Sequence, residues 1–268
     1  MGRTRRVEVD GSWVTVDVHG DPDGRTVVVV PGVMADAAAW GRVAGALEAL
    51  GTWDAVAVVN RRGRRPSGPL GEAYSLATEV RDLATVLSGF DDVAAVLGWS
   101  YGGLVALHLA EDLAVPHLIA YEPVIAPFGE HALPGLRRAH LAGDVDGVVD
   151  VALRQVAGLG EPQVSALRSR PAAWAELTRL GAPLHAETLA IARAGRPPRL
   201  GTRAGRVDLV LGETNRDRAP YGATFADVAR RVPHASVHQL DGQGHLAHLE
   251  APGDLAALVD RLARAARA

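Results

Sequence analysis

The segment Gly98-Trp99-Ser100-Tyr101-Gly102-Gly103 follows an unbroken apolar run, Val93-Ala94-Ala95-Val96-Leu97, and opens a stretch with helical spacing, Leu104 to Leu109. A serine hydroxyl is a weak nucleophile near neutral pH. It attacks a carbonyl from a strained, exposed position, with a base within hydrogen-bond reach and donors for the developing oxyanion. A G-x-S-x-G pattern between a strand and a helix supplies that position. The small residues two before and two after Ser100 let the turn close without Cβ clashes. The plainer alternative is a tight strand-to-helix turn with an inert serine, and the flanking strand and helix favour the nucleophile.

A general base is offered by His245 in Asp241-Gly242-Gln243-Gly244-His245, after the last strand-like run and before the final helix, where a glycine-lined loop can carry an imidazole over the elbow. Nine other histidines compete. His234 and His238 belong to or flank a strand, His108 lies inside the helix after the elbow, and His248, three residues past the candidate, could sit on the cap side. A base histidine also needs a carboxylate to fix its tautomer. Glu122 in Tyr121-Glu122-Pro123 is the first candidate, at a strand's carboxyl end with Pro123 barring continuation. Glu213 and Asp217 in Gly212-Glu213-Thr214-Asn215-Arg216-Asp217 remain alternatives.

The oxyanion donors are assigned to the backbone N–H groups of Tyr101, at the start of the helix, and Val33, in Pro31-Gly32-Val33-Met34 after the run Thr26 to Val30. Gly32 would let this loop approach a substrate carbonyl closely, beyond a mere turn role. Trp99, Met34 and Trp174 are the candidate substrate contacts. With Tyr101, His131, His140 and His185 they suggest an apolar pocket with aromatic walls, suited to a moderately hydrophobic small molecule. Trp174 has a second reading, as packing between cap and sheet.

The elements that must position these residues follow from periodicity. Val7 to Val9 and Ser12 to Val18 alternate around Asp10-Gly11 and predict a half-exposed antiparallel hairpin. Thr26 to Val30, Ala55 to Val59 and Val93 to Leu97 are continuous apolar runs, the signature of strands buried on both faces. Helical patterns at Ala37 to Leu50 and Tyr74 to Leu87 lie between them, and this alternation predicts a parallel sheet sandwiched by helices. Further strands fit His117 to Tyr121, Val207 to Leu211 and Ser236 to Leu240, and a closing helix begins near Pro252. Between Glu122 and Arg206 only helical patterns appear, at Leu136 to Ala142, Val145 to Val156 and Ala172 to Leu180. The expectation is one domain over residues 1–268, a mostly parallel eight-stranded α/β sheet, with a helical cap over residues 123–206 enclosing the site at the strands' carboxyl edge.

Composition fits a protein that folds unaided: 268 residues, 48% hydrophobic and 22% charged. A net charge of −3, spread along the chain, gives no field for nucleic acid or an anionic membrane. The strong cations are all arginine, which carries no functional message by itself. Without cysteine there are no disulfides, thiolate nucleophiles or thiolate metal sites. The basic start, Gly2-Arg3-Thr4-Arg5-Arg6, runs into a strand pattern, and no run approaches the roughly 18 apolar residues of a membrane span. A cytoplasmic protein is expected.

Taken together, the elbow, Pro31-Gly32 with Trp40 downstream, Asn60-Arg61-Arg62-Gly63-Arg64-Arg65-Pro66-Ser67, Tyr121-Glu122-Pro123, Arg170-Pro171 with Trp174, and Gly242-Gln243-Gly244-His245 resemble the α/β-hydrolase superfamily, and within it a bacterial group of small serine hydrolases. The order of nucleophile, acid and histidine agrees. The resemblance implies the α/β-hydrolase fold and action on esters, thioesters or lactones with no metal or organic cofactor. Three positions depart from it: Pro31 stands where many relatives have histidine, Asn60 where many have aspartate, and Asn215 where the triad aspartate is customary. The arginine segment is expected to be a structural loop near the cap, with Arg61 or Arg62 pairing with acidic residues. Two other functions are compatible with these residues: a non-hydrolytic cyclase or lyase on the same fold, and a non-catalytic ligand-binding module.

Overall fold

The computed structural model describes residues 2–267. Its eight strands are β1 (Arg3–Val9), β2 (Ser12–Gly20), β3 (Arg25–Val30), β4 (Ala55–Asn60), β5 (Asp92–Trp99), β6 (Val115–Tyr121), β7 (Ala204–Gly212) and β8 (Ser236–Leu240). They form one sheet in the order β1-β2-β4-β3-β5-β6-β7-β8. The β1–β2 and β2–β4 pairs are antiparallel, and every pair from β3 to β8 is parallel.

The helices are α1 (Gly41–Leu50), α2 (Leu76–Leu87), α3 (Tyr101–Asp112), α4 (Leu133–Leu141), α5 (Val145–Val151), α6 (Glu161–Arg168), α7 (Pro171–Gly181), α8 (Leu184–Arg193), α9 (Tyr221–Arg231), α10 (Ala247–Glu250) and α11 (Pro252–Ala265). Between β6 and β7 the described chain is helical, α4 to α8. None of the helices described is long and apolar enough to cross a membrane.

Side chains alternate across a strand, and the continuous valine runs therefore feed two layers at once. Val28, Val30, Val96, Leu118, Ala120 and Leu209 pack with α2, α3 and α9. Val27, Val29, Leu97, Ile119, Tyr121 and Val210 pack with α1 and α11 on the other face. Each valine fully withdrawn from water contributes about 1.5–3 kcal/mol. A run of them is stable only as a strand covered on both sides.

Several local expectations change. The hairpin is half exposed only in β1: β2 is mostly buried, because it also pairs with β4 and the loop after β4 covers it, with the Thr15 N–H donating to Ser67 Oγ at 2.8 Å. The helical pattern from Ala37 begins as a 3₁₀ turn, Ala38–Trp40, before α1. The pattern Val145 to Val156 splits into α5 and a π-helical turn, Ala152–Val156. Helices α6, α8, α9 and α10 had no counterpart in the sequence analysis.

Candidate active site

The chain leaves β3 for β4 on one side, while β5 lies on the other. Loops leaving the carboxyl ends of β3 and β5 therefore meet above a crevice, the place where open α/β sheets bind ligands. The register Val30↔Gly98 brings the segment Pro31-Gly32-Val33 beside the elbow. A Cβ on Gly32 would sit 2.8 Å from Ser100 Cβ, and one on Gly102 would sit 2.0 Å from the Val30 carbonyl oxygen. Both contacts are open to glycine alone.

Ser100 has φ 55° and ψ −119°, a conformation that costs a side-chain-bearing residue about 1–3 kcal/mol. The surroundings impose it. The Ser100 N–H donates to Tyr121 O at 3.0 Å, and Ser100 O accepts from Leu104 N at 3.2 Å and Val124 N at 3.4 Å. The elbow is thus tied to the helix it opens and to the end of β6.

At that end, Glu122 also has positive φ, 44°, and is buried. Its Oε1 accepts from Gly212 N at 2.9 Å and Asn215 Nδ2 at 3.0 Å; its Oε2 accepts from Asn215 Nδ2 at 2.9 Å and His245 Nδ1 at 2.7 Å. With Nδ1–H facing the carboxylate, the His245 lone pair lies on Nε2. The imidazole is clamped by rings: Trp99 at 4.9 Å between centroids, and Tyr221 stacked at 3.7 Å and 14°. Its backbone is held by Trp99 Nε1, which donates to His245 O at 2.9 Å, and by the Tyr121 hydroxyl, which donates to Gly244 O. Burial pulls the His245 pKa below its ordinary value, and Glu122 offsets part of the fall.

The sequence pattern of the alpha/beta hydrolase family matches residues 27–258, well over half of the chain and including both the elbow and His245. The chain belongs to the alpha/beta hydrolase family. Comparison with curated proteins returns no match. Among solved structures, an alpha/beta hydrolase from Sphaerobacter thermophilus is similar at TM-score 0.78 and 22% identity, over 97% of this chain and 99% of that one. The enol-lactonase from Burkholderia xenovorans gives 0.72 and 16%, over 96% and 99%. A Rhodococcus esterase gives 0.66 and 20%, over 98% of each chain. At these identities the likeness is one of fold.

In this α/β hydrolase the other acid candidates lie elsewhere. Asp217 is exposed, and Glu213, also exposed, accepts from Gly242 N at 2.7 Å. Glu213 therefore fastens the loop carrying His245, and Thr214 helps by donating from its N–H and its hydroxyl to Gln243 O, each at 3.0 Å. Trp99 is corrected from a pocket wall to a support. It follows Leu97 in the strand's alternation, so its ring enters the layer of Trp40 and Tyr121 beneath His245. His248 is likewise not on the cap side: it is buried, stacked on Trp40 at 4.9 Å and against Trp99 at 4.2 Å, and burial pulls its pKa down to about 3. Trp174 packs among cap residues, with Nε1 donating to Asp146 and Arg168 over its ring at 4.6 Å. Met34 and Val33 do meet the cap, packing against Ala132, Leu136 and Leu184.

The arginine segment is occupied by acids. Arg62 donates to both oxygens of Asp82, from Nε at 2.6 Å and Nη2 at 2.7 Å. Arg61 is buried between Glu79 and Glu187 at 2.7 Å each. Among the described residues no cluster of three or more His, Asp or Glu is arranged to hold a metal ion. Sequence reasoning missed Tyr221 and the part played by Asn215. An aromatic residue opening an amphipathic helix after Pro220 was the available signal for the first; for the second it was an amide in the place of a customary acid.

Proposed function

We propose that this α/β hydrolase is a serine hydrolase that cleaves an ester, thioester or lactone bond of a moderately hydrophobic small molecule through an acyl-enzyme. The observation that carries this reading is the 2.7 Å contact between His245 Nδ1 and Glu122 Oε2 beside a serine held at positive φ. Ser100 Oγ attacks the carbonyl carbon while His245 Nε2 accepts its proton, and Glu122 stabilises the imidazolium. The Val33 and Tyr101 N–H groups receive the oxyanion, the latter at the positive end of the 12-residue helix α3. His245 then returns the proton to the departing alkoxide or thiolate, leaving an acyl-serine. Water, deprotonated by the same imidazole, releases the acid and restores Ser100.

The apolar cap residues packed against Met34 and Val33 support a substrate with an aliphatic or aromatic acyl part. Glu122, with each oxygen in a hydrogen bond, supports hydrolysis over the rearrangement chemistry that a missing acid would suggest. Hydrolysis of p-nitrophenyl butyrate tests the reading. The parent should turn over the ester with a burst of nitrophenol equal to enzyme concentration when deacylation limits, and Ser100→Ala should lose about 10⁴-fold or more in kcat. An inert parent, or a Ser100→Ala variant as active as the parent, contradicts it.

A further inference from the structure

Arg61 lies beneath the loop that would bind the oxyanion, and its planar fork grips two successive peptide groups. Nε donates to Pro31 O at 2.9 Å and Nη2 to Gly32 O at 2.8 Å. In a trans peptide the C=O and the following N–H lie in one plane and point in opposite directions. Fixing the Gly32 carbonyl toward the guanidinium therefore fixes the Val33 N–H away from it. The cation also polarises that peptide, since hydrogen bonds in a chain strengthen one another in a low-dielectric interior. The same guanidinium stands 5.0 Å from the centre of the Tyr101 ring, whose residue supplies the other N–H.

Two carboxylates hold Arg61 in turn. Glu79 comes from α2, and Glu187 from α8 of the cap. The second oxygen of Glu187 takes Arg64 Nη2 at 2.8 Å, and the Tyr74 hydroxyl donates to Glu79 at 2.7 Å. All four charged side chains are at most 3% exposed, and their charges cancel. Buried ion networks return little net stability relative to apolar packing, because desolvation consumes most of the Coulombic gain. Their value lies in fixing geometry, and the geometry fixed here is that of the Pro31-Gly32-Val33 loop.

We infer that Arg61 is the positioning residue of the oxyanion hole, and that Glu187 couples the seating of the cap to it. The inference rests on the serine-hydrolase reading above. It deepens that reading by making the donor geometry depend on a cap residue 126 positions from the arginine.

Arg61→Lys, Glu187→Gln and Arg62→Gln, assayed with p-nitrophenyl butyrate and by thermal melting, form the test. A lysine ammonium keeps the charge but cannot span two carbonyls and two carboxylates as the fork does. Arg61→Lys is expected to lower kcat about 10- to 100-fold with KM within about threefold, the mark of a donor that acts in the transition state. Glu187→Gln should lower kcat about 3- to 10-fold with the same KM pattern, and it decides the matter if Arg61→Lys does not fold. Arg62→Gln breaks a somewhat less buried pair that does not touch the loop, so it should lower Tm and leave kcat within about twofold. Folded Arg61→Lys or Glu187→Gln protein with parental kcat, or an Arg62→Gln loss as large as theirs, overturns the inference while leaving the serine-hydrolase reading intact. An inactive parent overturns that reading instead, and the inference falls with it.

Discussion

Asn215 Nδ2 stands 3.0 Å from Glu122 Oε1 and 2.9 Å from Glu122 Oε2, so an amide at the end of β7 serves the carboxylate at the end of β6. The amide is a donor, and the carboxylate it serves faces it from the neighbouring strand. Glu122→Gln should reduce kcat about 10³- to 10⁴-fold by presenting an amide to the histidine. Asn215→Asp should also reduce it, since two carboxylates at this distance cannot both ionise freely. The double variant Glu122→Gln/Asn215→Asp returns a carboxylate beside the ring and should exceed Glu122→Gln in kcat by about tenfold. Steady-state kinetics of the three variants check this, and a double variant no better than Glu122→Gln would show that only the β6 position can serve.

The pH profile follows from burial of the base. His245 must be neutral to accept a proton, and burial, only partly offset by Glu122, pulls its pKa down. The acidic limb of kcat/KM should therefore fall below the ordinary imidazole value of about 6.5, with a plateau through neutral pH. Glu122→Gln removes the two influences that raise the pKa, so its residual activity should show a limb at still lower pH. A limb above pH 7 in the parent would contradict this account.

His248 should contribute to pH-dependent stability. It is buried between Trp40 and Trp99, its Nδ1 has no hydrogen-bond partner among the described residues, and its pKa is pulled down to about 3 by burial, then by His245. The unfolded chain binds this proton below about pH 6.5 and the folded one does not until about pH 3. Stability should thus decline as pH falls across that window, by up to about 1.4 kcal/mol per pH unit from this group. Urea melts of His248→Phe should show a flatter decline than the parent; equal slopes would remove His248 as the cause.

Gly32→Ala tests the closeness of the β3 loop to the elbow. The added methyl would lie 2.8 Å from Ser100 Cβ, 2.9 Å from Trp99 Cε3 and 3.0 Å from Trp99 O, so loop or elbow must shift. An ångström-scale displacement of a donor costs about 10²-fold in rate. Folded protein with kcat reduced by about that factor is expected, and parental kcat would mean the loop does not contribute to the reaction.

Much of this arrangement was legible in the sequence where the signal is local. Thr26 to Val30 and Val93 to Leu97 announce strands covered on both faces, because water tolerates neither face of such a run. Ser100 and His245 were visible through their glycine flanks and their places after a strand. The side of Trp99 was also readable, since alternation puts it with Leu97. The union of Glu122 with Asn215 and His245 depends on the register of β6 against β7, Tyr121↔Val210, and on the loop after β8, which no local pattern encodes. The grip of Arg61 on Pro31 and Gly32 depends further on how α8 seats on the body. Helix α9 was readable as well, since Tyr221, Phe225 and Val228 recur at helical spacing in an otherwise polar segment.

The central claim, a nucleophilic serine activated by an imidazole contributed from the far end of the chain, is tested most directly by intact-protein and peptide mass spectrometry after exposure to a fluorophosphonate. One phosphonyl group per chain, located on Ser100 and formed at least about 10²-fold more slowly in His245→Ala, is the predicted result. Folded parent protein that remains unmodified, or that is modified elsewhere at a rate indifferent to His245, would contradict it.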